Sequence, residues 1–131
     1  MAIATGVIIR RSQYSVKESI NQLAIFLLNH GATIYARIDQ KQELQNAGQN
    51  ILPLEFILFG NPKGGGRLMA ENPLVALDLP LKIIAYEDEE QNVWLAYNEG
   101  DYIEKRYSLT HNPKSPLMLD ELIDQFLKST D

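Results

Sequence analysis

The chain has 131 residues, 45% of them hydrophobic and 22% charged, with 17 acidic against 12 basic side chains, a formal charge of -5 and no cysteine. A domain of this length buries roughly two-thirds of the surface its unfolded form exposes, so it holds a core unaided, and the lack of cysteine excludes disulfide scaffolds and thiolate zinc sites. Apolar runs fall short of the ~20 residues that span a bilayer, Met1 to Arg10 lacks the ordered regions of a signal peptide, and an acidic chain without clustered Lys and Arg argues against nucleic acid. The expectation is one cytoplasmic domain, residues 1–131, with no membrane or nucleic-acid partner.

In chain order, Gly6 to Arg10 predicts a first strand, and Ser15 with Glu18, in S-x-x-E spacing, opens a helix over Val16 to Asn29. Val16, Ile20, Leu23, Ala24 and Leu27 form its apolar stripe, and Gly31 is its left-handed stop. Period-two patterning then predicts strands over Thr33 to Asp39, Leu54 to Gly60, Leu81 to Glu87 and Val93 to Asn98. Gln91-Asn92, after the run Glu87 to Glu90, reads as a hairpin turn with a solvated acidic tip. Short helices are expected over Lys41 to Ala47, stopped by Gly48, and Arg67 to Glu71, stopped by Asn72-Pro73. A last helix is expected from Ser115-Pro116, with Leu119, Leu122, Ile123 and Phe126 as its stripe.

This order predicts an α+β fold, a two-layer sandwich in which helices cover one face of a mostly antiparallel sheet. Both faces of the sheet need cover, because Leu54 to Phe59, Leu81 to Tyr86 and Val93 to Tyr97 are apolar at nearly every position. Two helices cover one face, and a homodimer is the simplest cover for the other.

Four segments carry further information: Ala36-Arg37-Ile38-Asp39, Phe59-Gly60-Asn61-Pro62, Asp78-Leu79-Pro80-Leu81-Lys82, and a strand ending in Tyr97-Asn98. Their series resembles the family catalogued as domain of unknown function 302, whose pattern runs A-R-I-D-H, F-G-N-P, D-L-P-L-K and Y-N, and the match covers roughly residues 14 to 110. The resemblance implies a β-α-β(4)-α domain of the TATA-box-binding-protein-like class and homodimeric assembly. Gln40 stands where the family pattern has histidine, so this chain lacks that imidazole as a base or ligand.

Alternation along the second strand places Arg37 and Asp39 with Thr33 and Tyr35 on the uncovered face, opposite Ile34, Ala36 and Ile38. Two readings follow. Arg37 and Asp39 form a recognition pair for a carboxylate or phosphate, or Arg37 is an ion-pair or dimer residue and Asp39 caps the short helix. Tyr97 and Asn98 add a hydroxyl and an amide to the first reading, although Asn98-Glu99-Gly100 also suits a turn. The stretch Gly60, Asn61, Pro62, Lys63, three glycines and Arg67 resembles a phosphate-cradling loop, but it lacks the Lys-Ser/Thr ending of a P-loop.

His30 and His111 lack metal-ligand spacing, and neither a G-x-S-x-G elbow nor an H-x-x-x-H pair occurs. No metal and no cofactor are expected. A carboxylate pair drawn from Asp39, Asp78 and Glu55 would need a separation that sequence does not provide. Trp94 and Tyr86 read as core or interface packing, with a base-stacking platform as the sharper alternative. The leading expectation is a non-catalytic homodimeric module that binds a small anionic ligand through Arg37, Asp39, Gly60, Asn61, Lys63, Arg67, Tyr97 and Asn98. The alternatives are a structural or regulatory protein-interaction dimer, and a hydrolase or isomerase using Asp39 with Arg37.

Overall fold

The computed structural model describes residues 4–130; the first three residues of the N-terminal stretch read above lie outside it. Strand β1 (Val7–Ser12) leads into helix α1 (Val16–Asn29). Ser15 caps α1 by accepting the Glu18 N–H at 3.1 Å, while the Glu18 carboxylate accepts from the Asn21 and Gln22 side chains rather than closing a reciprocal capping box. Gly31 ends the helix with a φ of 82°, in the left-handed region where glycine meets no Cβ penalty. Strands β2 (Thr33–Asp39), β3 (Leu54–Gly60), β4 (Leu81–Glu87) and β5 (Val93–Asn98), and the short helix α2 (Gln40–Asn46), lie where the patterning predicts them, within a residue for α2.

Three helices differ from expectation, two in where they start and one in having no expected counterpart. Helix α3 spans Pro62–Glu71 instead of starting at Arg67, because the Asn61 side chain accepts the Lys63 N–H at 3.0 Å and Pro62 suits the first turn. The glycine-rich stretch is therefore helix, not loop. Helix α4 (Gly100–Arg106) was not expected and starts at the end of the Asn98-Glu99-Gly100 turn; Asp101 in its first turn and Lys105 and Arg106 in its last suit the helix dipole. Helix α5 (Asp120–Ser129) begins later than Ser115-Pro116. Ser115 Oγ accepts the Leu117 N–H at 3.2 Å in a local turn that sends Leu117 into the core, fully buried.

The five strands form one sheet in the order β1-β5-β4-β3-β2, every neighbour antiparallel. Ile57, Phe59, Ile83, Ala85, Leu95 and Tyr97 point from it into the buried core beneath α1 and α5, each large side chain worth about 1.5–3 kcal/mol when removed from water. Phe26 of α1 meets Phe126 of α5 edge-on at 5.4 Å. This is the two-layer α+β sandwich that the element order predicts. The opposite face carries Ile9, Ile38, Phe56, Ile84 and Ala96, aligned across the strands. Lys82 Nζ lies 4.5 Å from the centre of the Phe56 ring, and the Arg11 guanidinium lies 5.6 Å from that of Trp94. Long basic side chains thus shield part of an apolar face while keeping their charges wet.

Candidate functional site

The strand β2 holds the first correction. Ile34 pairs with Phe59 and Ala36 with Leu58, so Tyr35 is an extra residue in a β-bulge. A bulge reverses the facing of every residue beyond it. Arg37 pairs with Ile57 and Asp39 with Glu55, which puts both on the helix-covered face with Ile34, whereas Ala36 and Ile38 turn to the open face. Thr33 and Tyr35 do not share a face with Arg37 and Asp39.

On that face both residues have structural partners. Arg37 Nη2 donates to Asn21 Oδ1 at 2.7 Å and lies 3.8 Å from Glu55 Oε1. Glu55, only 5% exposed, also accepts from Lys17 Nζ at 3.0 Å. Its hydrogen bond raises the Lys17 pKa above the ordinary ammonium value, chiefly by favouring the charged form. Asp39 caps α2 by accepting the Gln42 N–H at 2.9 Å. The ion-pair and cap reading of Arg37 and Asp39 describes their geometry, and the pair invoked for a hydrolase or isomerase is committed to the fold.

Tyr97 and Asn98 separate as well. Tyr97 is buried under α5, where its hydroxyl donates to Asp120 Oδ1 at 2.8 Å; burial, then this carboxylate, push its pKa well up. Asn98 is exposed at the end of β5, beside Leu58 and Lys82. Of the three carboxylates considered as a pair, Asp78 accepts from Arg106 at 3.0 Å and from the Tyr107 hydroxyl, so it too is tied to the frame.

The remaining residues do converge. Gly60 ends β3, Asn61 turns the chain, and α3 carries Lys63 and Arg67 four residues apart, hence on one helical face. Opposite them runs the 109–115 loop, and between the two lies a groove of about 550 Å³ lined by Asn61, Lys63, Arg67, Glu71, Thr110 and Lys114 among others. Lys63, Arg67 and Lys114 form no ion pair among the described residues. An acidic chain has here concentrated three free cations against one carboxylate, and that carboxylate, Glu71, is occupied by the Thr110 N–H at 2.5 Å. Sequence reasoning missed Lys114 and Thr110 because only the tertiary fold brings them to α3.

The loop is held in place by Glu104 on α4, which is 4% exposed. Its Oε2 accepts the Asn112 N–H at 3.0 Å, its Oε1 meets His111 Nδ1 at 2.8 Å, and its backbone carbonyl accepts the Leu109 N–H at 2.8 Å. Asp101, Glu104 and His111 place ligand atoms within 4.8 Å of one another and are the described residues able to hold a metal ion. D-x-x-E on α4 was the available signal, hidden because no helix was expected there. Both Glu104 oxygens already serve the loop, so the cluster works as a clamp.

The hydrogen bond to Glu104, then its charge and that of Asp101, raise the His111 pKa above the ordinary imidazole value. A raised folded-state pKa means that protonation stabilises the fold, fully below the unfolded pKa of roughly 6.5 and progressively less as pH rises through the raised value. The stability difference between wild type and His111→Asn is therefore expected to shrink as denaturant unfolding is repeated from about pH 6 to about pH 8.5. A difference independent of pH would show that His111 makes no charged contact.

Fold and groove together describe a two-layer α+β domain with an antiparallel sheet, whose polar cleft opens where one strand passes into a helix. The model of the family DUF302, domain of unknown function, matches residues 8–128, and the chain belongs to that family. A crystal structure of an uncharacterized conserved DUF302 protein from Bacillus stearothermophilus superposes with a TM-score of 0.72 at 19% identity, covering 96% of this chain and 95% of that one. Curated relatives named Fluoride-specific ion channel FluC 1, from Brucella suis and Brucella abortus, are 35% identical over 107 residues, 82% of this chain. The chain spans only 42% and 40% of their respective lengths. No helix among the described residues is long and apolar enough to cross a membrane.

Proposed function

We propose that the protein is a non-catalytic, homodimeric cytoplasmic module that binds a small anionic ligand in the groove between α3 and the 109–115 loop. The observation that carries this reading is the gathering of Lys63, Arg67 and Lys114, none of them ion-paired among the described residues, around one cleft of a chain whose net charge is -5. Such a local reversal of sign attracts anions and orients their oxygens. The N-terminus of α3 adds a favourable dipole. The open sheet face, with Ile9, Ile38 and Ile84 partly exposed, supports assembly with a second copy. Because no helix among the described residues is long and apolar enough to cross a membrane and the chain spans under half of the relatives named as fluoride channels, it is read as an accessory rather than a conducting domain.

Thermal unfolding with phosphate, acetate or fluoride at matched ionic strength tests the ligand. At tenfold excess over the dissociation constant, a native-state ligand adds about 1.4 kcal/mol, a rise of roughly 5 °C for a domain of this size. Wild type is expected to show that rise with at least one anion, and Lys63→Ala/Arg67→Ala to lose it. Equal responses in both proteins, or none in either, would favour the protein-interaction dimer. Assembly is tested by sedimentation equilibrium: wild type should sediment as a dimer at micromolar concentration and Ile84→Lys as a monomer. A monomeric wild type would remove the dimer.

A further inference from the structure

Two of the sequence segments that the cationic groove does not use meet elsewhere on the domain. Asp78-Leu79-Pro80-Leu81-Lys82 leads into β4 and Tyr97-Asn98 ends β5, and Lys82 lies beside Asn98 because the preceding pair in the ladder is Ile83 with Tyr97. Ile83 and Tyr97 point into the core, so alternation turns Lys82 and Asn98 to the open face. At this end of the sheet a cavity of about 250 Å³ gathers Asp78, Lys82 and Asn98 with Leu58, Leu77 and Leu79. It shares no lining residue with the groove between α3 and the 109–115 loop.

The polar groups of this cavity are unlike in charge and incompletely used. Arg106 Nη1, at 3.0 Å, and the Tyr107 hydroxyl both donate to Asp78 Oδ2, which fixes the carboxylate and leaves Oδ1 without a donor among the described residues. Lys82 Nζ rests over the Phe56 ring and pairs with no carboxylate among the described residues. The exposed Asn98 side chain has no hydrogen-bond partner among them either, so its amide offers both a donor and an acceptor. Leu77 is 75% exposed, more than any other large apolar side chain described.

We infer that this cavity is a second site, which binds a zwitterion: a free α-amino acid with a small apolar side chain. Its carboxylate meets Lys82 and the Asn98 amide N–H, its ammonium meets Asp78 Oδ1, and its side chain covers Leu77 and Leu58. The mixed charges select against simpler ligands. A simple anion is set against the Asp78 carboxylate, and a simple amine against Lys82. An uncharged apolar molecule strips water from three polar groups without replacing their hydrogen bonds. A ligand carrying both charges a few bonds apart satisfies each wall. The volume lies just below the usual range for small-molecule pockets, which limits the side chain to a few carbons.

The test is a calorimetric titration of glycine, alanine, valine and leucine into wild type, Lys82→Met and Asn98→Ala, with the two leucine analogues that lack one charge, 4-methylpentanoate and 3-methylbutylamine, alongside. Lys82→Met keeps the stem over Phe56 while removing the ammonium, and Asn98→Ala changes an exposed side chain, so both variants should fold. Wild type should bind leucine more tightly than glycine, and at least about tenfold more tightly than either analogue, since each analogue leaves one polar wall unpaired. Lys82→Met should weaken leucine about fivefold and leave 3-methylbutylamine no weaker, a split that a general loss of structure would not produce. Asn98→Ala should weaken leucine and 4-methylpentanoate by a common factor. An analogue that binds as well as leucine overturns the zwitterion, and leucine binding unchanged by both substitutions overturns the site. No binding of any of the four amino acids at millimolar concentration overturns both. Phosphate titrated into the same proteins reports on the α3 groove separately, so the two sites stand or fall independently.

Discussion

Replacing Glu104 with alanine is expected to lower stability by about 3 kcal/mol and to weaken anion binding, although Glu104 lies outside the groove. The carboxylate is 4% exposed and accepts the Asn112 N–H, so truncation strands a backbone donor and leaves a buried void. A hydrogen bond to a charged group contributes roughly 1.5–3 kcal/mol, and truncation removes the one that Asn112 makes together with the packing of the buried Glu104 side chain. The solvent-exposed His111 contact adds to the geometry of the clamp but is screened. Glu104→Gln retains an acceptor for Asn112 and should recover most of the loss. The functional consequence follows from the loop: with Asn112 released, Lys114 is no longer held opposite Lys63 and Arg67. Chemical denaturation of the three proteins, with phosphate titration of each, checks both effects. Equal stability of wild type and Glu104→Ala would show that the clamp does not hold the loop.

Two glycines of α3 should respond to the same substitution with opposite signs. Gly64 packs against Pro116, and its missing Cβ would lie 2.8 Å from Pro116 Cγ and 3.3 Å from Pro116 Cβ. Gly64→Ala therefore forces α3 away from the 115–117 turn and is expected to cost about 2 kcal/mol, as overpacking a close contact does. Gly66 has nothing within 4 Å of its missing Cβ and a φ outside the left-handed region. Gly66→Ala gains about 1 kcal/mol from helix propensity and from a less disordered unfolded chain. Denaturant midpoints of the two single variants decide the matter. If both substitutions stabilise, the helix does not approach Pro116 as closely as described. If both destabilise, residues 62–71 serve as loop rather than helix.

Local chemistry made much of the fold legible. Ser15 three residues before Glu18 marked a helix start because a cap needs only its own first turn, and Gly31 marked the stop because the left-handed region disfavours a Cβ. Gln91 turns the β4–β5 hairpin with a φ of 67°, where the polar run ends. Asn61-Pro62 is an equally local signal of a helix start, masked by three glycines that are poor helix formers in isolation. Packing on Pro116 and across Leu68 keeps them helical.

By itself, the sequence determined the antiparallel α+β class, the strand positions, the apolar character of both sheet faces and membership of a family defined by F-G-N-P and D-L-P-L-K. These follow from periodicity, capping and motif spacing, which act over a few residues. Only the tertiary structure decided where the functional side chains point. The bulge at Tyr35 depends on register with β3, so alternation along β2 alone could not reveal that Arg37 and Asp39 face α1 and pair with Glu55 and α2. In the same way Lys63 and Arg67 became neighbours only when the glycine stretch folded as a helix, and Lys114 joined them only because buried Glu104 ties down its loop. The physical reason is one of range: caps and turns are satisfied by adjacent backbone, whereas register and groove geometry are set by contacts between segments distant along the chain.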